Sequence, residues 1–279
     1  MQSYFPHLPF WIEAVVLLLL FFYSPFAHGC LVLLAHSSSS TDRSIMSPKP
    51  KVHVRQLGLV TYEAATALQQ DLFQQTIDQK IHNRRNPEDQ TPTKHHLLFL
   101  EHPPVYTLGK SGDKNNLLVN NTTLQEKGAS FFKTNRGGDI TFHGPGQLVG
   151  YPILDLDCFF TDIHKYLRFL EECIIAILAD YDIKASRNKG QTGVWIDVNG
   201  TNPRKICAMG IRTSRWVTMH GFALNVNTDL SFFDYIIPCG IADKSITSIE
   251  KELGAAIDIQ EVIKKFKKHF SRIFETDMA

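Results

Sequence analysis

From Val52 onward the chain alternates short runs rich in β-branched and aromatic residues with longer segments whose apolar positions return every three or four residues. That alternation is the pattern of a mixed α/β or α+β domain. The spacing predicts a helix over residues 62–81, opened by Thr61 as N-cap, with Ala65, Leu68, Leu72 and Ile81 near one another. Residues 82–94 are polar, hold Pro87 and Pro92, and read as an exposed loop before a strand-like run at 95–100. Further strands are expected at 105–108, 130–134, 140–142 and 148–154. The main core helix is expected at 161–181, where Ile163, Tyr166, Leu167, Leu170, Ile174, Ile177 and Leu178 form one broad stripe. Runs at 194–198 and 206–212 flank a turn of Asn, Gly and Pro and read as a hairpin, with 218–226 continuing the sheet. Residues 259–274 form an amphipathic helix with Ile263, Phe266, Phe270 and Ile273 inward and Lys264, Lys267, Lys268 and Arg272 outward. No internal repeat interrupts this series.

With 279 residues, 43% of them hydrophobic, the chain can bury a full core. Lys and Arg number 29 against 28 Asp and Glu, so no broad field gathers nucleic acid along its length. The five cysteines are widely spaced without a CxxC pair, which fits neither a disulfide framework nor a zinc knuckle and points to a reducing compartment. Twelve histidines include no HExxH pairing, and no metal site is expected.

The amino terminus changes the picture. Residues 14–23 are an unbroken apolar run, about as long as a signal-peptide core and short for a bilayer span. No Lys or Arg precedes it and Glu13 does, which is wrong for an export signal. A second apolar patch at 30–35 permits a membrane anchor, and the segment from Met46 reads as the natural opening of a soluble domain. The expected division is therefore an extension at 1–45, whether signal, anchor or mis-assigned start, and a soluble domain at 46–279.

Three segments are hard to explain by packing alone: RGGDITFHGPGQLVGY from Arg136, KICAMGIRTSRWVTMHGFALNV from Lys205, and IIPCGI from Ile236. The glycines of the first permit sharp turns or close approach of backbone to a ligand. GxxxxGK[ST] and GxGxxG are both absent, so a phosphate cradle is poorly supported. Together with HPPVYTLG from His102, these segments, in this order, closely resemble the octanoyltransferase family of lipoate biosynthesis over about residues 52–254.

The resemblance implies a fold class of α/β: a single domain with a mixed β-sheet flanked by helices, similar to the catalytic domains of biotin and lipoate protein ligases. It places a catalytic pair on Cys239 and Lys205. Substrate contacts fall on Arg136, Gly137, Gly138, Asp139, Ile140, Thr141, Phe142 and His143, on Ala208, Met209 and Gly210, and on Gly221, Phe222 and Ala223. The implied reaction is acyl transfer: octanoyl acyl carrier protein donates, Cys239 holds the chain as a thioester, and a lysine accepts it. Acceptors would be lipoyl domains of 2-oxoacid dehydrogenases and the carrier protein of glycine cleavage. No cofactor, no nucleic acid and no membrane partner is implied, and the expected location is cytoplasmic. A free thiol with a pKa of about 8.5 is only a few per cent thiolate at neutral pH, and a neighbouring ammonium such as that of Lys205 favours the reactive anion.

Other readings stay open at this point. An ATP-dependent lipoate or biotin ligase shares the expected fold, but the GRGRxG run of the biotin type is absent and adenylation has no need of the IPCG cysteine. A non-catalytic carrier-binding protein rests only on the apolar extension. The chain departs from the family pattern at Phe232, where proline is common. Cys158, Cys173 and Cys207 read as packing residues, His102 and His220 as either substrate contacts or loop anchors, and Arg136 as either a substrate contact or an ion-pair partner of Asp139 or Asp155.

Overall fold

Residues 49–237 and 245–279 are described by a computed structural model of the chain. Residues 1–45, with the apolar run and Cys30, lie outside them, as does Cys239. Along the chain the elements are β1 (Lys51–Leu59), α1 (Tyr62–Arg85), β2 (His95–Glu101), β3 (Val105–Leu108), α2 (Asn121–Glu126), β4 (Ser130–Lys133), β5 (Ile140–His143) and β6 (Gln147–Ile153). There follow α3 (Ile163–Ala179), β7 (Ala185–Asn188), β8 (Gln191–Ile196), β9 (Arg204–Ser214) and β10 (Val217–Asn225). The chain ends in β11 (Ser245–Ile246), α4 (Ile249–Leu253), α5 (Ile259–Phe274) and β12 (Asp277–Met278).

Local chemistry sets the helix ends. The Thr61 hydroxyl accepts from the Ala64 amide and opens α1, as expected. The helix runs past residue 81 to Arg85, because His82, Arg84 and Arg85 suit the negative end of its dipole and Asn86 caps the His82 carbonyl. Pro87 then forbids continuation, so the expected loop begins four residues later than its polarity suggested. Asp162 caps α3 through the Lys165 amide, and α5 occupies the expected range.

A nine-stranded mixed sheet follows the order β12-β1-β2-β6-β10-β9-β8-β7, with β11 paired to β9. β1 runs parallel to β12 and β2, β11 runs parallel to β9, and the other pairs are antiparallel. Both faces are covered. Leu97 and Phe99 of β2 enter the core under α3 and α5, while Leu98 and Leu100 enter the core under α1. That explains the unbroken apolar run in this strand, since neither face meets water. A smaller sheet, β4-β3-β5, packs with α2 and the turn Leu230–Tyr235 around Tyr106, Leu108, Ile140 and Phe142. Phe232, the expected departure from the family pattern, stacks on Phe142 with centroids 4.7 Å apart. Among the described residues no helix is long and apolar enough to cross a membrane.

Phe266 of α5 is fully buried, and its ring packs against Phe99, Phe222 and Phe270 at 5.4, 4.7 and 5.7 Å. Phe266→Ala should lower unfolding stability by about 3–5 kcal/mol in urea titrations. A loss below about 1 kcal/mol would contradict the assignment of this ring to the centre of the core.

Candidate active site

A cavity of about 530 Å³ opens between the two sheets. Its walls include Arg136, Gly137, Gly138, Asp139, Ile140, Thr141 and His143 from the first motif, and Lys205, Ala208, Met209 and Gly210 from β9. Gly221, Phe222 and Ala223 of β10 complete the set drawn from the sequence. Phe142 is the exception. It is buried instead in the small-sheet core between Tyr106 and Phe232, because its side chain leaves the strand on the side away from Thr141 and His143.

Close backbone approach builds the cavity. Gly210 and Gly221 stand opposite each other on β9 and β10, and the Gly137 amide donates to the Ile211 carbonyl at 2.9 Å. A methyl group on Gly210 would lie 2.7 Å from the Gly137 carbonyl oxygen. Only glycine lets this loop rest on the sheet.

Arg136 is buried at the head of a directed hydrogen-bond chain. Its Nη2 donates to the Thr107 carbonyl at 2.6 Å and to Thr107 Oγ1 at 2.8 Å. Thr107 Oγ1 in turn faces His143 Nε2 at 3.3 Å, and His143 Nδ1 donates to Gln147 Oε1 at 2.8 Å. The Gln147 amide donates to the Phe142 carbonyl and to Asn225 Oδ1, and Asn225 Nδ2 donates to the Thr247 carbonyl. The Thr247 amide closes the chain on the Lys205 carbonyl at 3.0 Å. Each donor has a matching acceptor, which holds His143 neutral in the Nδ1–H form.

Burial, then His102 and Arg136 nearby, push His143 well below the usual histidine range. His220, with φ of 62°, donates from Nε2 to Asn135 Oδ1 at 2.9 Å, and burial beside Arg136 and Arg212 brings it down to about 3. His102 does not line the cavity: it donates to the Val60 carbonyl and accepts from the Tyr151 hydroxyl, so the loop-anchor reading describes its contacts. Asp155 is engaged by Lys80 and Thr93, and the Asp139 carboxylate accepts from Asn116 and from the Ile140 amide.

Lys205 lies between two strands, opposite Trp195 of β8 and Ile246 of β11. A register shift opposite Val194 and Trp195 lets Ile206 and Cys207 both enter the core while Lys205 faces the cavity. Its ammonium sits 4.7 Å from the centroid of the Trp195 ring. Beneath this strand a carboxylate that sequence patterning missed, Glu171 of α3, is fully buried. It accepts from the Gly193 amide at 3.0 Å and pairs with Arg168 and Arg187. Nothing in a helical stripe flags such a residue; only the pairing across the fold does.

The packing reading matches the surroundings of Cys173 and Cys207 but not those of Cys158, which stays at the surface. Cys173 and Cys207 are fully buried and burial raises both thiols, while Cys158 is exposed against Thr93. Cys239 lies outside the described residues. The chain on either side of it is anchored: the Ile237 amide donates to the Asn116 carbonyl, and Ser245 pairs with Arg204, one residue from Lys205. The sequence motifs also held cavity residues that had been given no role there, Gln147, Tyr151 and Asn225, and Tyr62 at the start of α1 was missed altogether.

Residues 62–271 match the family described as the lipoyl protein ligase A/B catalytic domain. Octanoyltransferases of Christiangramia forsetii and Flavobacterium johnsoniae are 57% and 58% identical to this chain, each over 82% of it and over 97% and 99% of their own lengths. Among solved structures, a bipartite lipoate protein ligase from Thermoplasma acidophilum gives a TM-score of 0.59 at 16% identity, covering 84% of this chain and 86% of its own. A lipoate-protein ligase A bound with ATP gives 0.59 at 16% identity, covering 83% and 87%. These two establish the fold as that of lipoate ligase catalytic domains.

The buried histidines make stability depend on pH. In the unfolded chain they take up protons near pH 6.5, whereas in the fold His220 does so only near 3 and His95 near 4. Their contribution is complete above about pH 6.5 and is lost as pH falls, by about 2 kcal/mol for each at pH 5. His220→Asn, whose side chain tolerates the left-handed backbone, should lose about 2 kcal/mol less than wild type between pH 7.5 and 5 in urea titrations. Parallel pH curves would contradict the assignment.

Proposed function

This chain belongs to the lipoyl protein ligase A/B catalytic-domain family, among the octanoyltransferases, and we propose that it moves an octanoyl chain from acyl carrier protein to a lysine of a lipoyl-dependent protein through a thioester on Cys239. The observation that carries the proposal is a buried, glycine-floored cavity with the Lys205 ammonium in its wall, in a chain so similar to octanoyltransferases. The catalytic domain is taken as residues 46–279, working in the cytoplasm. The acceptors are taken as lipoyl domains of 2-oxoacid dehydrogenases and the glycine-cleavage carrier.

In the first half-reaction the Cys239 thiolate, paired with the Lys205 ammonium that holds its proton, attacks the donor's thioester carbonyl. The carbon–sulfur bond to Cys239 forms, the bond to the donor sulfur breaks, and Lys205 returns the proton to the departing thiolate. One thioester replaces another, so no ATP is required. In the second half-reaction the acceptor amine attacks, its proton goes to Lys205, an amide forms, and Cys239 leaves as thiolate beside the ammonium. Backbone amides of the glycine-rich walls suit the oxyanion that forms in each half. Arg136, His143, Gln147 and Asn225 keep those walls and the Lys205 strand in place.

Transfer from octanoyl acyl carrier protein to an apo-lipoyl domain should proceed without ATP. Cys239→Ser should lower it by roughly 10³-fold or more, and Lys205→Met by roughly 10²–10⁴-fold. An absolute ATP requirement would replace this reading with that of a ligase.

A further inference from the structure

The cavity runs across the strands. Lys205 stands on β9, Ala223 on β10 and Tyr151 on β6, and all three line it. At its other side lies Tyr62, whose ring packs 5.5 Å from that of His102, just beyond the end of β2. From β9 to β2 is three strand spacings, roughly 14 Å. Tyr62 is thus the wall remote from Lys205.

Behind this wall is a second space, a groove of about 330 Å³ lined by Tyr62, Thr66, Lys133, Thr134 and Asn135. Among the described residues Tyr62 alone lines both spaces. It is 6% exposed and held by a stack on Phe132 at 5.3 Å and by a near-parallel His143 ring at 6.5 Å. The partition also includes the hydrogen bond from His220, in the cavity, to Asn135, in the groove. The Tyr62 hydroxyl is buried and has no hydrogen-bond partner among the described residues. The ring, and not a polar contact, is what this residue supplies.

From this we infer that Tyr62 sets the length of acyl chain the enzyme accepts, its ring meeting the methyl end of the chain. The inference rests on the proposed octanoyl transfer, which puts the carbonyl at the Lys205 side. A longer chain then runs into the ring, while a small side chain at position 62 joins cavity and groove and gives the extra methylenes somewhere to go. Fit or misfit of a single methylene in an apolar pocket changes discrimination by roughly 10-fold or more.

The test compares kcat/KM for octanoyl and dodecanoyl carrier proteins with a saturating apo-lipoyl domain. Tyr62→Ala should raise the dodecanoyl to octanoyl ratio at least about 10-fold over wild type, and Tyr62→Phe, which keeps the ring, should leave that ratio within about twofold. Tyr62→Leu, a milder truncation, should move the ratio in the same direction and serves if the alanine variant does not fold. An unchanged ratio in a folded Ala or Leu variant overturns the inference, as does a Phe variant that shifts as far as Ala. Absence of octanoyl transfer by wild type would instead remove the functional reading on which the inference stands.

Discussion

The site depends on one close contact, the Gly137 backbone lying on β9 over Gly210. There the Gly137 amide reaches the Ile211 carbonyl, and a single methyl group on Gly210 would stand 2.7 Å from the Gly137 oxygen. Because the loop sits this low, Arg136 beside it is buried and reaches Thr107 on the small sheet. A buried guanidinium is tolerable only when its donors are satisfied, and Thr107 and the Gly137 carbonyl accept from it. From Thr107 the chain of donors passes through His143, Gln147 and Asn225 to Thr247 and the Lys205 strand. Two sheets and the proposed catalytic lysine are thereby tied to one contact.

Much of the fold was legible because local and tertiary preferences agree. The alternating strands and the apolar stripe of α3 read correctly, and the amphipathic α5 matches its expected limits. Where the reading fell short, a partner decides. β7, β11 and β12 are short segments whose strand character comes from the neighbour they pair with, not from their own composition. The end of α1 was misplaced because polarity marked a loop, while basic residues at the end of a helix dipole and an Asn cap extend it.

The site was legible in kind but not in wiring. Nearly every substrate contact named from the glycine-rich segments lines the cavity, yet Phe142 faces the opposite core, since neighbours on a strand point to opposite sides. Tyr62 looked like an ordinary first residue of a helix, and Glu171 lay unremarked beside an apolar stripe. Both owe their places to rings and cations far away in sequence, such as Phe132 and Arg187. The neutral states of His143 and His220 likewise follow from burial beside Arg136, which no spacing displays.

The proposed chemistry comes down to whether one sulfur carries the chain between donor and acceptor. The direct measurement is the intact mass of the protein after incubation with octanoyl acyl carrier protein and no acceptor, followed by peptide mapping. A single octanoyl adduct, labile to hydroxylamine, on the peptide containing Cys239 is the predicted result. An unmodified protein that still transfers octanoyl groups, or an adduct confined to another residue, would contradict the account.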